Sequence, residues 1–253
     1  MLILSILVKF GIKMNTSARE ILASGASELG ITLSDRQLDM FDRFTELLIE
    51  WNQKFNLTRI TDPVEIAVKH HLDSLSLLKF VEVPADSSII DVGTGAGFPA
   101  IPLKIVLPEI KVVMLDSVRK KLSFIEAVIA DLGLHDAKVI HSRAEDLGRE
   151  KTQRDKYDFA VSRAVAKLSV LAEFCIPFCR LGGRFVAYKG PDADEEVAKS
   201  LKAISLLGGD LEHVHRFTLP HSDQQRTLVV VKKNRSTPRL YPRKAGIPEQ
   251  KPL

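Results

Sequence analysis

A chain of 253 residues is long enough for one large α/β domain with a smaller appendage. Hydrophobic residues make up 45% of it and charged residues 27%, which excludes the disordered, fibrous and disulfide-rich classes. The formal net charge of +4 is small, so it indicates a polyanionic partner only if the basic residues cluster.

The N-terminal run and the cysteine content bear on where the protein works. The apolar run MLILSILV has no basic region, no small-residue cleavage site and too little length to span a membrane. Cys175 and Cys179 lie in a pattern that predicts a helix, and two cysteines make neither a disulfide framework nor a four-ligand zinc site. We therefore expect a cytoplasmic protein without a membrane anchor. Residues 1–16 are an extension: either Met14 is the true start, or the run packs on the body as an apolar arm.

Helix start signals dominate the chain up to residue 80. Two fit the capping box and one fits an N-cap followed by proline and an acid: Ser17 with Glu20, Ser34 with Gln37, and Asp62 with Pro63 and Glu65. Apolar residues between Leu38 and Trp51 recur at steps of three and four, as on one face of a helix. The sequence therefore predicts a helical cap over residues 17–80.

Short apolar runs then alternate with helical segments over residues 81–233. The runs are SIIDV, KVVMLD, AKVIHS, YDFAVS, RFVAYKG, HVHRFTLP and RTLVVVKK. Alternation at this spacing predicts a Rossmann-like α/β domain with a doubly wound, mostly parallel, seven-stranded sheet. No helix separates the last two runs, so we expect them to form an antiparallel hairpin at one edge.

The C-terminal residues 234–253 differ in composition from the domain. They contain five Lys or Arg residues, one acid and four prolines. A proline-rich segment makes neither a helix nor a sheet interior, so we expect an extended basic tail along RNA phosphates. The alternative is that the tail packs back across the helical cap through Leu240 and Tyr241.

A glycine loop follows the first predicted strand. Gly93, Gly95 and Gly97 stand at alternate positions after Asp91 and open into a helical run, so that backbone N–H groups can approach an anionic group. A dinucleotide fingerprint needs a small residue at the position that Phe98 occupies. The loop therefore favours S-adenosylmethionine over a nicotinamide cofactor, although a purely structural turn is the alternative.

The next strand ends supply further candidate contacts for this cofactor. Asp91 is placed to hold the ammonium of the methionine end, directly or through water. Asp116 ends the second strand, where a carboxylate accepts both ribose hydroxyls. Ala144 and Glu145 follow the third strand and offer a backbone N–H and a carboxylate to the adenine edge. Asp116 has an alternative interpretation as a helix N-cap, and Glu145 as a cap or a solvated charge.

Four motifs in this order carry a resemblance to a known family. They are WNQKFNLT at 51–58, HHLDS at 70–74, DVGTGAGFP at 91–99 and VSRA at 161–164. They resemble the motifs of the methyltransferase G family of small-subunit ribosomal RNA, also called glucose-inhibited division protein B. The resemblance covers about residues 17–233, and the segment YPRKAGIP at 241–248 is similar to the tail of part of the family.

The resemblance implies a class I S-adenosylmethionine-dependent methyltransferase acting on N7 of guanine 527 of 16S ribosomal RNA, in the standard RNA numbering. It implies that the small-subunit RNA or particle is the partner, and we favour a monomer. It places the following residues at the cofactor: Gly93, Phe98, Asp116, Ser117, Ala144, Glu145 and Arg163.

The fourth strand end departs from relatives that methylate amines. Many of them carry an acid-Pro-Pro-aromatic segment where this chain has Ser162, Arg163 and Ala164. Guanine N7 has a free lone pair and loses no proton on methylation, so no general base is required and catalysis reduces to positioning. We expect Arg163 and Lys189 to hold guanine O6 or a flanking phosphate, unless they are plain surface charges.

Metal chemistry and rival functions are disfavoured. Histidines 70 and 71 are adjacent on a predicted helix and project in different directions, so we expect no metal there, even with Asp73 nearby. The rival functions are a small-molecule methyltransferase, a nicotinamide-dependent oxidoreductase and a non-catalytic RNA-binding protein. The basic tail opposes the first, Phe98 the second and the intact 91–97 segment the third.

Overall fold

The computed structural model describes residues 16–163 and 166–253, so that nearly all of the predicted extension and Ala164 lie outside it. The helices are α1 (Thr16–Glu28), α2 (Asp35–Phe55), α3 (Pro63–Ile66), α4 (Asp73–Leu75), α5 (Leu77–Phe80), α6 (Ala100–Val106), α7 (Arg119–Leu132), α8 (Ala144–Leu147), α9 (Leu168–Cys175), α10 (Asp194–Leu206) and α11 (Ile247–Gln250), with a π-helical segment (Ala67–Leu72) between α3 and α4 and a 3₁₀ turn (Ile176–Phe178) after α9. The strands are β1 (Ser88–Val92), β2 (Lys111–Asp116), β3 (Ala137–His141), β4 (Tyr157–Arg163), β5 (Cys179–Lys189), β6 (Gly209–Thr218) and β7 (Gln225–Lys233).

The described strands form one seven-stranded sheet in the order β3-β2-β1-β4-β5-β7-β6. The first five strands pair in parallel, and β7 pairs antiparallel with both β5 and β6. This arrangement confirms the predicted doubly wound sheet and the antiparallel hairpin at one edge. The strand order reverses between β1 and β4, and in such sheets ligands bind at the carboxyl ends beside the reversal.

The two faces of the sheet are covered by different helices. Alternation along β7 shows the division, because Leu228 and Val230 belong to the core under the helical cap, whereas Val229 and Val231 belong to the core on the other side. Helices α1, α2, α6 and α7 cover the first face, and α8, α9 and α10 cover the second. Helices on both faces leave the carboxyl ends of the strands open for a site.

Two of the three helix start signals predicted before residue 80 are confirmed, and one is wrong. Ser34 and Gln37 form the predicted capping box of α2, and Asp62 caps α3 by accepting the N–H of Glu65. The capping box predicted at Ser17 is wrong, because α1 begins at Thr16 and Ser17 lies within its first turn. Among the described residues, no helix is long and apolar enough to cross a bilayer.

The C-terminal segment differs from the extended tail that its composition predicts. Residues 234–253 pack against the α8 and α9 side of the domain, where Tyr241 is buried. The alternative packing across the helical cap is also wrong, since Tyr241 belongs to the opposite core and Leu240 is exposed. The segment also contains the short helix α11, which accommodates Pro248 in its first turn. Proline does not prevent burial, because backbone carbonyls that form no ladder can bind arginine side chains.

Candidate functional site

A cavity of about 860 Å³ lies at the carboxyl ends of the parallel strands. Its lining includes nine of the residues expected at the site: Gly93, Gly95, Phe98, Asp116, Ser117, Ala144, Glu145, Arg163 and Lys189. Asp91 and Gly97 are buried behind that lining. The structure therefore brings the predicted residues together around one space.

Each glycine of the loop adopts positive φ, and each position serves a different purpose. Gly93, Gly95 and Gly97 have φ of 74°, 61° and 87°, in the region that favours glycine. A Cβ at Gly95 would meet open space on the cavity side, whereas a Cβ at Gly97 would collide with the side chain of Ile101 in α6. Gly95 thus keeps the cavity open, and Gly97 lets the loop pack on its helix.

Asp91 is a fully buried carboxylate with one unpartnered oxygen. Its Oδ2 accepts the hydroxyl of Thr94 at 2.7 Å and the N–H of Ala100 at 3.2 Å. Its Oδ1 is buried and accepts no hydrogen bond from the part of the chain that the structure describes. Burial raises the pKa of the Asp91 carboxyl to about 7. An arriving cation or donor would satisfy Oδ1 and favour the ionised form.

Asp116 joins the glycine loop to the start of α7. Its Oδ2 accepts the N–H of Gly95 at 3.0 Å, and its Oδ1 accepts the N–H of Val118, the N-cap residue of α7, at 2.8 Å. The interpretation of Asp116 as the N-cap of α7 is therefore wrong, because Val118 is the N-cap residue and α7 has no side-chain cap. Each carboxylate oxygen has capacity for a second hydrogen bond, and Asp116 lines the cavity, so it can also receive donors from a ligand.

The third strand end forms the opposite wall of the cavity. Ser117 contributes its carbonyl to a contact of 3.1 Å with His141 Nε2. Glu145 lies in the first turn of α8 and is only 2% exposed, so it is not a solvated charge. Its Oε1 accepts the N–H of Gly246, from the C-terminal segment, at 2.9 Å. Ala144 precedes it and also lines the cavity.

Arg163 is held between the sheet and the helical cap. Its Nη1 donates to the carboxylate of Asp73 at 3.1 Å and to the carbonyl of Lys69 at 3.2 Å. The guanidinium also lies over the ring of Phe98, 5.0 Å from its centroid. The side chain is therefore not a plain surface charge, and its donors are already directed at the cap.

His70 completes the same junction as a neutral imidazole. Its Nδ1 accepts a hydrogen bond from Arg163 at 3.2 Å, and its Nε2 contacts the hydroxyl of Thr58 at 2.9 Å. Burial and the adjacent Arg163 charge lower the pKa of His70 to about 3. Its ring stacks on Phe98 with centroids 4.6 Å apart. Within residues 16–163 and 166–253, no group of three His, Cys, Asp or Glu side chains is arranged for a metal ion.

Lys189 and the two cysteines have other contacts. Lys189 Nζ donates to Glu196 and to the carbonyl of Ala166, both at 2.9 Å. The helix expected around both cysteines is wrong, because Cys175 ends α9 and Cys179 begins β5. Burial raises the pKa of the Cys179 thiol to about 12, so it stays protonated.

Sequence reasoning missed the contribution of the β6–β7 hairpin. Arg226 on β7 donates to Asp73 Oδ1 at 3.2 Å and to Gln224 Oε1 at 2.6 Å, and both residues line the cavity. Arg226 lies 153 positions from Asp73 in the chain, so no local pattern predicts this contact. The same holds for Glu249, which lines the cavity from the C-terminal segment.

The family model for rRNA small subunit methyltransferase G matches residues 37–229. This chain belongs to the rRNA small subunit methyltransferase G family. Two relatives of that name show the extent of the similarity. The protein of Desulforamulus reducens is 50% identical over 92% of this chain and 97% of its own length. That of Acetivibrio thermocellus is 49% identical over 93% and 96%.

The solved structures add the fold. Fibrillarin of Aeropyrum pernix, in complex with natively bound S-adenosyl-L-methionine, superposes with a TM-score of 0.51 at 14% identity, covering 63% of this chain and 73% of fibrillarin. At that identity the similarity concerns the fold, which is the class I methyltransferase fold. The match to the rRNA small subunit methyltransferase G model ends at residue 229, so the C-terminal segment lies beyond it.

Proposed function

We propose that this protein transfers a methyl group from S-adenosylmethionine to N7 of guanine 527 in 16S ribosomal RNA, in the standard RNA numbering, and that it works in the cytoplasm. The observation that carries the proposal is the buried, unpartnered oxygen of Asp91 behind a glycine loop that opens into the cavity. Such a carboxylate fits a cationic ligand, and the family membership gives the substrate class.

Asp91 and the residues that line the cavity fit the different parts of this cofactor. Asp91 Oδ1 is suited to the ammonium, and Gly95 leaves the space that the methionine end needs. Asp116, at the next strand end, would accept the ribose hydroxyls. Glu145, in the first turn of α8 after the third strand, would accept a hydrogen bond from the adenine amino group. The bound cofactor supplies an electrophilic methyl group on a sulfonium, ready for in-line displacement.

The proposed reaction requires the protein to position the guanine and the methyl group, and it requires no proton transfer. Guanine N7 attacks with its own lone pair and loses no proton, so a general base is unnecessary. The imidazole of His70 lines the cavity, but both of its nitrogens are engaged and its lowered pKa keeps it neutral. Holding nucleophile and methyl carbon in near-attack geometry contributes about 7 to 11 kcal/mol in well-oriented systems.

Arg163 would then act by holding the helical cap against β4, at the junction that the guanine would face. Its hydrogen bonds to Asp73 and to the Lys69 carbonyl fix the cap against β4, beside the glycine loop. Asp73 receives Arg163 and Arg226 together, so this group of three carries one net positive charge at the cavity wall. A net positive wall suits an RNA phosphate or guanine O6.

The decisive experiment is methyl transfer from labelled cofactor to 16S RNA, offered naked, in a partly assembled subunit and in the finished subunit. Borohydride reduction and aniline cleavage then map N7-methylguanine to a nucleotide. We expect cleavage at guanine 527 in at least one of the three substrates. Label in another atom or another nucleotide would overturn the proposal, and so would transfer to small molecules alone.

A further inference from the structure

Arginine side chains of the domain bind the C-terminal segment through its backbone carbonyls. Arg154 donates to the carbonyls of Tyr241 and Thr237, both at 2.7 Å. Arg149 donates to the carbonyl of Pro242 at 2.8 Å. These bonds satisfy backbone oxygens that the proline-rich segment leaves outside any ladder. The path of residues 237–242 is therefore specified by the domain.

An ion pair fixes the next step of the path. Arg243 forms a two-pronged contact with Glu173, in which Nε donates to Oε1 at 2.9 Å and Nη2 donates to Oε2 at 2.7 Å. The backbone N–H of Arg243 donates to the same Oε1 at 2.7 Å. The Glu173 side chain is 1% exposed, and a carboxylate buried to that degree requires its partner.

The segment then enters the wall of the cavity. Gly246 has φ of 81° and donates its N–H to Oε1 of Glu145, which lines the cavity. Three residues later, Glu249 in α11 lines the cavity. Two carboxylates thus line the same cavity, one from the domain and one from the C-terminal segment.

We propose that residues 243–249 are part of the cofactor-binding site, on the side that receives the adenosine. The Arg243–Glu173 pair positions the segment, Gly246 orients Glu145, and Glu249 closes the end of the cavity. The ligand class is an adenine nucleoside, whose amino and hydroxyl donors match two carboxylates. This inference rests on the proposed use of S-adenosylmethionine.

Binding and ordering of the segment are then linked in both directions. If the segment contributes to cofactor affinity when it is docked, the bound cofactor must stabilise the docked segment by the same free energy. The first prediction therefore concerns cofactor affinity in variants whose C-terminal segment has lost a docking contact. The other concerns accessibility of the segment in the unaltered protein.

Affinity is measured by calorimetry with S-adenosylhomocysteine on the full chain. We expect Arg243→Ala to raise the dissociation constant about tenfold. The matched control is Arg239→Ala, which removes the same kind of side chain from an exposed position outside residues 243–249 and leaves the affinity unchanged. Because Arg243→Ala leaves Glu173 as an uncompensated buried charge, the double variant Glu173→Gln with Arg243→Met provides a second, charge-balanced test, with the same weakening expected.

Accessibility is measured by limited trypsin digestion of the unaltered protein, which offers cleavage sites after Arg243 and Lys244. We expect saturating S-adenosylhomocysteine to slow cleavage there several-fold. A cleavage rate independent of the ligand, or unchanged affinity in both Arg243 variants, overturns the assignment of the segment to the site. If the unaltered protein does not bind S-adenosylhomocysteine, the proposed function is overturned as well. Failure of the segment assignment alone is thereby distinguished from failure of the proposed function.

Discussion

The carboxylate of Asp73 accepts a hydrogen bond of 3.1 Å from Arg163, across the junction between the helical cap and β4. The same carboxylate accepts a hydrogen bond of 3.2 Å from Arg226 in the β6–β7 hairpin. The Asp73 side chain is 8% exposed, so one buried charge joins three parts of the fold that are distant in sequence. The cavity wall and the stability of the cap therefore depend on the same contact.

Replacing this carboxylate should destabilise the protein. We expect Asp73→Ala to lower the free energy of unfolding by about 3 kcal/mol, because two poorly solvated guanidinium groups lose their counter-charge. Urea denaturation of the variant and of the unaltered protein measures the difference. Glu65→Ala is the control, since its i,i+4 ion pair with Lys69 is partly exposed to solvent and should change stability by less than about 1 kcal/mol. Equal small effects in the two variants would contradict the structural role of Asp73.

The glycine loop allows a matched pair of substitutions. Alanine at Gly95 or Gly97 adopts positive φ in either case and pays a similar backbone strain, of about 1–2 kcal/mol. Only Gly97→Ala also collides with Ile101, so we expect it to lower the melting temperature more than Gly95→Ala.

Cofactor binding tests the open space beside Gly95. Gly95→Val leaves a folded protein and abolishes binding of S-adenosylhomocysteine, because its side chain extends into the open space beside the loop. Calorimetry and a thermal melt on each variant separate folding from binding. A Gly95→Val protein with unchanged affinity would remove this loop from the proposed site.

The parallel strands were the most predictable part of the fold. The runs SIIDV and KVVMLD coincide with β1 and β2, because strands covered on both faces are continuously apolar and end where polar residues begin. The site residues at these strand ends followed from the topology, since carboxyl ends of parallel strands share one edge.

Contacts between distant segments were not predictable. Arg163 was expected to hold guanine O6 or a flanking phosphate, but its guanidinium donates to the carboxylate of Asp73, 90 positions earlier in the chain. The proline-rich segment has no periodicity from which to predict a docked path, and a single N–H at Gly246 reaches Glu145 across 101 positions. Such contacts depend on tertiary packing that a pattern of residue types does not contain.

The buried carboxyl of Asp91 predicts a pH dependence of binding. Its pKa is raised to about 7 by burial, so the protonated form stabilises the free protein, fully at pH below the unfolded pKa of 3.8, and this contribution is lost as the pH rises through 7. A cofactor ammonium favours the ionised form. We therefore expect affinity for S-adenosylhomocysteine to rise, by up to tenfold per pH unit, as the pH approaches 7, and to level off above it.

Calorimetry from about pH 5.5 to 8.5 measures this dependence. In Asp91→Asn the carboxyl is gone, so affinity should be weaker and almost independent of pH over that range. Asp116 and Arg163 also act on Asp91 electrostatically and remain in the variant as an internal control. A variant that retains the full pH dependence would assign the titration to another group.

The last prediction concerns RNA binding by the C-terminal segment. Of its five cations, Arg243 is paired with Glu173, and Arg235 with Asp210 at 3.1 Å. Arg239, Lys244 and Lys251 are exposed and form no ion pair with the described residues. Each contact with a phosphate of single-stranded RNA contributes about −0.7 to the slope of log affinity against log salt. Replacing all three by alanine should therefore make the slope shallower by up to about 2, while leaving Arg243, Gly246 and Glu249 in place.

Binding of a 16S RNA fragment is measured by filter retention over a range of KCl concentrations, with saturating S-adenosylhomocysteine. The matched control is Arg235→Ala, whose guanidinium is already paired and should change the slope by less than one phosphate contact. Substituting three side chains is preferable to deleting residues 234–253, because deletion would also remove Glu249 from the cavity and the Gly246 N–H from Glu145. Identical slopes for the triple variant and the unaltered protein would show that RNA does not lie along this segment, and would direct the search for phosphate contacts to Arg226 and the wall beside it.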